Sequence, residues 1–284
     1  MSSTSGLAYA VRTATRQGLT RDLPHGPDDL QWVANTATLI YGDRDAVLVD
    51  TYTSIEQNAE LVEWVTSFGR QLTHIFITHG HGDHFFGIGQ FLEAFPEAKA
   101  IASKGSVAGA HTQGEPKWRD GFWEKLFPGQ IPEITYPEPL DGDFFELEGH
   151  RLEVMEMGYT DTVDTTSLWV PDLGLVVAGD VVYNDTHQFT AETTPESREH
   201  WAQAAERLAE LNPVAVVAGH KKPNTPDHPM ILAQTAGYLR SFNAAVEGSR
   251  TAEELYDRML RLYPRRANPG ALWGGAKVAK PTPA

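Results

Sequence analysis

Cysteine is absent from this chain of 284 residues. Its absence excludes disulfide bonds, zinc sites built from thiolates and a cysteine nucleophile. The chain also contains no apolar run long enough to cross a membrane, and the segment Met1–Gln17 contains no apolar stretch of signal-peptide length. We therefore expect a cytoplasmic protein that makes no contact with a membrane.

Positive charge is scarce. The chain has 23 Lys and Arg residues against 38 Asp and Glu residues, so its formal net charge is −15. A surface of this charge repels phosphate backbones, which argues against a nucleic-acid partner. The expected partner is a small-molecule substrate, and no feature of the sequence predicts an oligomeric state.

Strand and helix patterns alternate along the chain, which predicts an α/β protein. Runs rich in β-branched and aromatic residues predict strands at Thr36–Tyr41, Ala46–Asp50, Leu72–Thr78, Arg151–Met157, Thr166–Val170, Leu175–Ala178 and Val214–Ala218. Capping residues and apolar periodicity predict helices after Ser54, after Thr194, over Pro229–Val246 and over Ala252–Leu262.

Three further predictions concern the boundaries of the domain and the orientation of one helix. We expect a single domain over residues 28–263, with an N-terminal extension over 1–27. The tail over 264–284 is rich in Pro, Gly and Ala and is expected to pack irregularly. In the helix after Ser54, the spacing predicts a core face formed by Ile55, Ala59, Val62 and Val65.

The most informative motif is His79-Gly80-His81-Gly82-Asp83-His84, directly after a predicted buried strand. Zinc binds imidazole nitrogen and carboxylate oxygen at about 2 Å, so its ligands must converge. Two glycines in a short loop allow the backbone to bring such side chains together. A solvent-exposed, histidine-rich turn is the alternative interpretation, but this spacing after a buried strand favours a metal site.

Other polar residues also follow predicted strands. Asp50, Asp180 and His220 each stand where a strand ends. Ligand sites in α/β sheets gather at such positions, so we expect these side chains to lie near the hexapeptide.

This set of residues resembles the metallo-β-lactamase superfamily. The hexapeptide is similar to the signature of that family, and Asp50, Gly179-Asp180 and Gly219-His220 match its other motif segments over roughly Thr36 to His220. The resemblance implies an αββα sandwich in which two facing mixed sheets are flanked by helices. It also implies a metal centre at one edge of the sheets.

The same resemblance implies a ligand set. His79 and His81 would hold a first metal, while Asp83, His84 and His220 would hold a second. Asp180 would lie between the two metals. The implied cofactor is Zn²⁺, one or two per chain, with iron as the alternative. The missing cysteine agrees with relatives that use an Asp-His-His second site, such as lactonases and thioesterases.

The sequence departs from the family pattern at Tyr159. The family normally places a third histidine for the first metal in a Gly-His-Thr segment, and this chain has Gly158-Tyr159-Thr160. Three arrangements are open, and we place them in the following order. The first site is weak or empty, or Tyr159 binds the metal as a phenolate, or Asp161 or Asp164 replaces the histidine.

The function implied is that of a metal-dependent hydrolase. Zinc-activated water would attack the carbonyl of a small ester, lactone, thioester or amide, with Asp83 and Tyr159 as catalytic residues. The alternatives are a mononuclear iron oxidoreductase similar to persulfide dioxygenases and a non-catalytic metal-binding protein of the same fold.

Two further features have weaker predictions. His187 lies on a loop after Asp180, where contact with the substrate and a place on the surface are both open. The aromatic residues Trp118, Phe122, Trp123 and Phe127 are expected to pack together locally, in a segment where a lid could lie.

Overall fold

The computed structural model describes residues 6–17, 23–26 and 31–281. The strands are β1 (Ala8–Gln17), β2 (Gln31–Tyr41), β3 (Asp45–Val49), β4 (Gln71–Ile77), β5 (Lys99–Ala102), β6 (Glu138–Pro139), β7 (Phe144–Leu147), β8 (His150–Gly158), β9 (Thr165–Val170), β10 (Leu175–Val177), β11 (Tyr183–Asn184), β12 (Ala215–Val217) and β13 (His220–Lys221). The helices are α1 (Ile55–Ser67), α2 (Gly82–Phe85), α3 (Ile88–Ala94), α4 (Lys104–Gln113), α5 (Pro116–Trp118), α6 (Glu124–Leu126), α7 (Pro195–Glu210), α8 (Met230–Glu247), α9 (Ala252–Leu262) and α10 (Pro269–Ala279). A π-helical turn at Arg119–Trp123 joins α5 to α6. None of the helices in these ranges has the length and apolar character needed to span a membrane.

The first sheet has eight strands in the order β11-β13-β2-β3-β4-β5-β6, with β1 paired to β2. Strands β2 and β3, which cover the first two predicted strands, pair antiparallel as a hairpin. Strands β3, β4 and β5 are parallel, so the residues that follow them meet at one edge of the sheet. Asp50 follows β3 and His79 follows β4 at that edge.

The second sheet has five strands in the order β12-β10-β9-β8-β7. The hairpin of β9 and β10 turns through Pro171–Leu173, and Gly174 closes it with a φ of 57°. Glycine adopts this left-handed conformation without the strain of a Cβ atom. The predicted strand at Val214–Ala218 is shorter in the structure, because Val214 is 77% exposed and only Ala215–Val217 pair.

The two sheets face each other across a shared apolar core. Val49 and Phe76 of the first sheet belong to the same buried cluster as Leu152 and Leu168 of the second. Helices α1 and α3 cover the outer face of the first sheet, and α7 and α8 cover the second. This arrangement is the predicted αββα sandwich.

Helix α1 begins as predicted, with the Ser54 side chain accepting a hydrogen bond from the backbone N–H of Gln57. The predicted core face is wrong for two of its four residues, since Ile55 is 40% exposed and Ala59 is also exposed. The buried face is formed by Asn58, Leu61 and Val65. The Asn58 side chain turns inward because it bonds the backbone N–H and C=O of Tyr52.

Both ends of the chain contribute regular structure. The predicted N-terminal extension includes β1, and the predicted boundary between residues 27 and 28 lies outside the described residues. The expectation of an irregular tail is wrong, because α10 is a helix that buries Leu272, Trp273 and Ala276 against α8 and α9. Glycine-rich helices depend on such tertiary packing more than on propensity.

Candidate metal centre

The hexapeptide loop lies in close contact with its surroundings, which explains its two glycines. A Cβ atom on Gly80 would lie 2.4 Å from the carbonyl carbon of Gly109, and one on Gly82 would lie 2.4 Å from the Phe86 ring. Neither glycine has a left-handed φ, so close approach rather than backbone freedom requires them. The loop is therefore pressed against α4 with its histidines directed inward.

Three donor atoms converge in the first group of candidate ligands. His79 Nε2 lies 3.1 Å from His81 Nδ1 and 3.6 Å from Asp161 Oδ2. His81 Nδ1 lies 3.0 Å from Asp161 Oδ2. A tetrahedral metal with ligands at 2.0–2.1 Å has ligand-to-ligand distances of about 3.3 Å, so this spacing suits one ion.

The second group consists of Asp83, His84 and His220, all buried. Asp83 lies 3.9 Å from His84 Nε2 through Oδ1 and 3.6 Å from His220 Nε2 through Oδ2. Asp180 connects the two groups. Its Oδ1 lies 3.3 Å from His84 Nε2 and its Oδ2 lies 3.1 Å from His220 Nε2, while it also belongs to the cluster of His79 and His81.

Several of these buried atoms have no hydrogen-bond partner among the described residues: His84 Nε2, Asp161 Oδ2 and Asp180 Oδ1. Their nearest polar neighbours are other candidate ligands, since Asp161 Oδ2 lies 3.0 Å from His81 Nδ1 and His84 Nε2 lies 3.3 Å from Asp180 Oδ1. A cation among these buried atoms would satisfy them together. Imidazole and carboxylate are suitable donors for zinc or iron. The residues present therefore fit two metal ions.

The second group is supported by Asp50, which matches the structural aspartate that the resemblance implies. Asp50 accepts hydrogen bonds from the Thr78 N–H, the Thr78 hydroxyl and His84 Nδ1, at 2.8, 2.8 and 3.0 Å. The bond to Nδ1 leaves His84 Nε2 free to face the cluster. Asn35 also donates to Asp83 Oδ2 at 3.1 Å.

The charged side chains of the cluster shift one another's pKa values. Burial disfavours the charged form of Asp180, but His220 and His84 outweigh it and hold the pKa of Asp180 well below its ordinary value. Burial likewise disfavours the charged form of His84, yet Asp180 and Asp83 raise the pKa of His84. Burial and the neighbouring His84 lower the pKa of His79 to about 4. The carboxylates thus stay ionised and present negative charge to a cation.

Tyr159 is not brought to the cluster. It is 36% exposed and its hydroxyl donates to the backbone carbonyl of Glu192. Asp161, two residues further on and fully buried, takes the third position of the first group. The order expected from the sequence placed this arrangement last. Asp164 is exposed, has a φ of 55° and does not belong to either group.

Glu192 is a residue that the sequence analysis missed. Its Oε1 lies 3.4 Å from His81 Nε2, and its Oε2 accepts a hydrogen bond from the Thr162 hydroxyl at 2.9 Å. Burial disfavours the charged carboxylate, but the bonds from His81 and Thr162 outweigh it and lower the pKa of Glu192. Glu192 thereby supports His81 as Asp50 supports His84. No local motif marks it.

A cavity of about 400 Å³ opens onto the cluster. Its polar end is lined by His81, Asp83, Asp180, His220 and Glu192. Aromatic side chains form much of the rest: Trp32, Trp118, Phe122, Trp123 and Phe189. The expected local packing is confirmed, because ring contacts join Trp118 to Phe122, Phe122 to Trp123 and Trp123 to Phe127. Three of these four residues, all except the buried Phe127, also line the cavity.

His187 is not among the described residues that line this cavity. It is fully buried, with its Nδ1 2.9 Å from the Tyr238 hydroxyl and its backbone N–H bonded to the carbonyl of Ala267. Burial and the nearby Arg266 lower the pKa of His187 to about 3. The structure thus places this histidine in the interior, neither against the cavity nor on the surface.

Comparison with known proteins identifies the family. Residues 30–220 match the model of the metallo-β-lactamase superfamily. The chain belongs to this superfamily. The solved structures agree with its fold: a metallo-β-lactamase family protein from Thermus thermophilus has a TM-score of 0.64 at 21% identity, covering 96% of this chain and 91% of that one.

A metallo-β-lactamase from Pontibacter korlensis has a TM-score of 0.61 at 19% identity, covering 82% of this chain and 94% of that one. Among curated proteins, the uncharacterized protein YobT from Bacillus subtilis (strain 168) is 28% identical over 202 residues, which are 66% of this chain and 79% of YobT. An atrochrysone carboxyl ACP thioesterase from Pseudocercospora fijiensis is 38% identical over 66 residues, 22% of this chain and 20% of that protein.

Proposed function

We propose that this protein is a zinc-dependent hydrolase that binds two metal ions and cleaves a small ester, lactone, thioester or amide. One observation carries the proposal. Four imidazoles and three carboxylates converge, buried and partly without hydrogen-bond partners, at the polar end of a cavity of about 400 Å³. Buried donors of this kind at the end of a ligand-sized cavity are typical of a catalytic metal site.

Zinc, when bound, supplies a Lewis acid that polarises a carbonyl oxygen and lowers the pKa of water. The chain supplies the proton transfer. Asp83 lines the cavity, and the Asn35 side chain holds one of its oxygens, Oδ2. Its other oxygen, Oδ1, can hold the proton that the attacking water releases and pass it to the leaving group. Tyr183 also lines the cavity and donates to Asp180 Oδ2 at 2.6 Å, which orients that carboxylate.

Tyr159 has no catalytic role in this proposal, because its hydroxyl is already bonded to the Glu192 carbonyl. The thioesterase from Pseudocercospora fijiensis supports a thioester as one substrate to test first, although the similarity covers only 66 residues. An apolar cavity wall suits the acyl part of such a substrate.

The test combines metal analysis with hydrolysis. The purified protein, loaded with zinc and then desalted, is measured by plasma mass spectrometry and assayed with 4-nitrophenyl acetate, acetyl thioesters and lactones. We expect about two zinc ions per chain and hydrolysis of at least one class. Asp180→Asn is the matched control, since it keeps the size of the side chain that both groups share. No bound metal, or equal hydrolysis by this variant, would contradict the proposal.

A second candidate, an iron oxidoreductase, is favoured by one observation. Each group contains two histidines and one aspartate, His79 and His81 with Asp161 in the first. Two histidines with one carboxylate form the facial set of many non-haem iron enzymes. Iron in the protein as purified, together with oxygen consumption in the presence of a persulfide, would favour this candidate over hydrolysis.

A further inference from the structure

The wall of the cavity away from the metal centre is largely apolar, with Gln113 and Asn268 as polar members, and comes from separate parts of the chain. One part is formed by Trp118, Phe122 and Trp123, and another by Ala271, Gly274 and Val278 on one face of α10. Phe122 and Val278 are 37% and 55% exposed, so they form part of the mouth of the cavity. The family match ends at residue 220, which leaves α10 outside it.

Charge in the cavity is of one sign apart from the histidines. Its carboxylates are Asp83, Asp180 and Glu192, and none of the described residues that line it is Lys or Arg. The lysines beside its rim, Lys117 and Lys277, lie over the rings of Trp118 and Trp273. A carboxylate on the distal end of a ligand would lose its hydration without gaining a cationic partner, which is unfavourable.

Gly274 marks a gap in the wall. It is half-buried and lines the cavity, and a Cβ atom built on it would have no other atom within 4 Å. Glycine within a helix costs about 1 kcal/mol relative to alanine, and its φ here is not left-handed. The residue therefore leaves space that a side chain would fill.

We propose that the cavity takes the uncharged, apolar acyl group of the substrate and that α10, through the space at Gly274, limits the length of that group. The inference rests on the proposed hydrolase for its chemistry, but the binding of an apolar ligand can be measured without turnover. A neutral acyl chain satisfies both observations, because it packs against the aromatic wall and needs no cationic partner, which no lysine or arginine among the described lining residues supplies.

The first experiment uses the zinc-loaded protein and 4-nitrophenyl acetate, butyrate, hexanoate and octanoate. We expect kcat/KM to rise about two- to fourfold for each methylene that the cavity buries. The mono-4-nitrophenyl ester of suberic acid has the same chain length as the octanoate but ends in a carboxylate. We expect its kcat/KM to be about 10- to 100-fold lower than that of the octanoate. Equal rates for these two esters would overturn the proposal.

The second experiment places a side chain in the space at Gly274. Gly274→Leu should lower the ratio of octanoate to acetate kcat/KM by at least about tenfold, since the added side chain occupies the acyl space. Gly237→Leu is the matched control, because Gly237 is an exposed glycine of α8 with no atom within 4 Å of an added Cβ and does not line the cavity. The control should leave the ratio unchanged within about twofold. An unchanged ratio in Gly274→Leu would overturn the proposal.

A binding measurement separates this inference from the proposed hydrolase. Octanamide and the monoamide of suberic acid are titrated into zinc-loaded protein while tryptophan fluorescence is recorded, since Trp32, Trp118 and Trp123 line the cavity. Octanamide should bind, and both Gly274→Leu and the terminal carboxylate should weaken binding at least about tenfold. Such binding without hydrolysis of any ester would support the acyl site and contradict the hydrolase. Hydrolysis with no preference for the apolar chain would support the hydrolase and contradict the acyl site.

Discussion

The two groups of candidate ligands have matching donors and different support. Each consists of two histidines and one aspartate, and Asp180 lies between them. Asp50, which supports the second group through His84, is 2% exposed and accepts three hydrogen bonds. Glu192, which supports the first group through His81, has a side chain that is 31% exposed. From this difference in burial we expect the second group to be the more rigid of the two.

This difference shows how one half of a metal site can change while the other is kept. The resemblance implies a histidine in the first group, and Asp161 adds a negative charge there instead. With the two divalent ions of the proposed centre, three carboxylates would face four positive charges, which would favour occupancy of both groups.

The largest effect is expected at the residue that both groups share. Asp180→Asn removes one negative charge between the two metal positions, so both ions should bind more weakly. We expect kcat/KM for the best ester to fall on the order of a thousandfold, measured alongside metal content. Circular dichroism at matched metal loading serves as the folding control. Two tightly bound ions and activity within tenfold of the parent would show that Asp180 does not join the groups.

The next effect distinguishes the groups. Asp161→Asn should reduce bound metal from two ions per chain to one, because the first group loses its only unshared carboxylate. Asp161→His should restore the second ion, since it supplies an imidazole at the same place. Dialysis against a competing chelator followed by plasma mass spectrometry measures both. Retention of two ions in the asparagine variant would mean that Asp161 is not a ligand.

The supporting carboxylates provide a direct comparison. Asp50→Asn should weaken metal binding about 100-fold, because it disturbs the tautomer of His84 and the bond to Thr78. Glu192→Gln should weaken it only about tenfold, since its contact with His81 is longer and partly open to solvent. Competition with a zinc-binding dye measures both affinities. The reverse order would contradict the difference in rigidity between the groups.

His187 is a buried histidine outside both groups, so it tests whether burial alone controls protonation. Its pKa of about 3 lies below the ordinary 6.5, so folding favours the neutral ring. The stability that depends on this neutral state is complete above pH 6.5 and is lost as pH falls towards 3. Between pH 7 and pH 5 the protein should lose about 2 kcal/mol more free energy of unfolding than His187→Gln does. Urea titrations of both proteins at each pH measure the free energy of unfolding. Parallel pH profiles for the two proteins would contradict the burial argument.

The smallest effect is expected at Tyr159, which the sequence analysis considered as a ligand. Tyr159→Phe removes only the bond to the Glu192 carbonyl, at a partly exposed position. Metal affinity and kcat/KM should change by less than about threefold. A loss of one metal ion in this variant would instead support the phenolate arrangement.

Local spacing was enough to predict much of the site. His79, His81, Asp83 and His84 lie within one loop, so their proximity follows from their places in the chain. The ends of parallel strands meet at one edge of a sheet, which is why Asp50 could be placed near them. The periodicity likewise predicted the alternating strands and helices, including the caps at Ser54 and Thr194, while the sandwich was implied by the family resemblance.

The replacement ligand could not be chosen from the sequence, because a turn decides it. The backbone N–H of Thr160 bonds the carbonyl of Thr162, and Asp164 adopts a left-handed φ of 55°. This local shape directs Tyr159 outward and Asp161 inward, although the two are only two residues apart. Spacing alone does not specify such a turn.

The sequence by itself thus determined the α/β class, through its periodicity, and the residues near the hexapeptide, through their spacing and the strand ends. It indicated the family and the sandwich through the resemblance of its motifs. Only the tertiary structure decided that Asp161 joins the site, that Glu192 supports His81 and that α10 forms part of the cavity wall. These residues are brought together by packing between segments far apart in the chain. Such packing depends on which surfaces bury one another, and no local pattern records it.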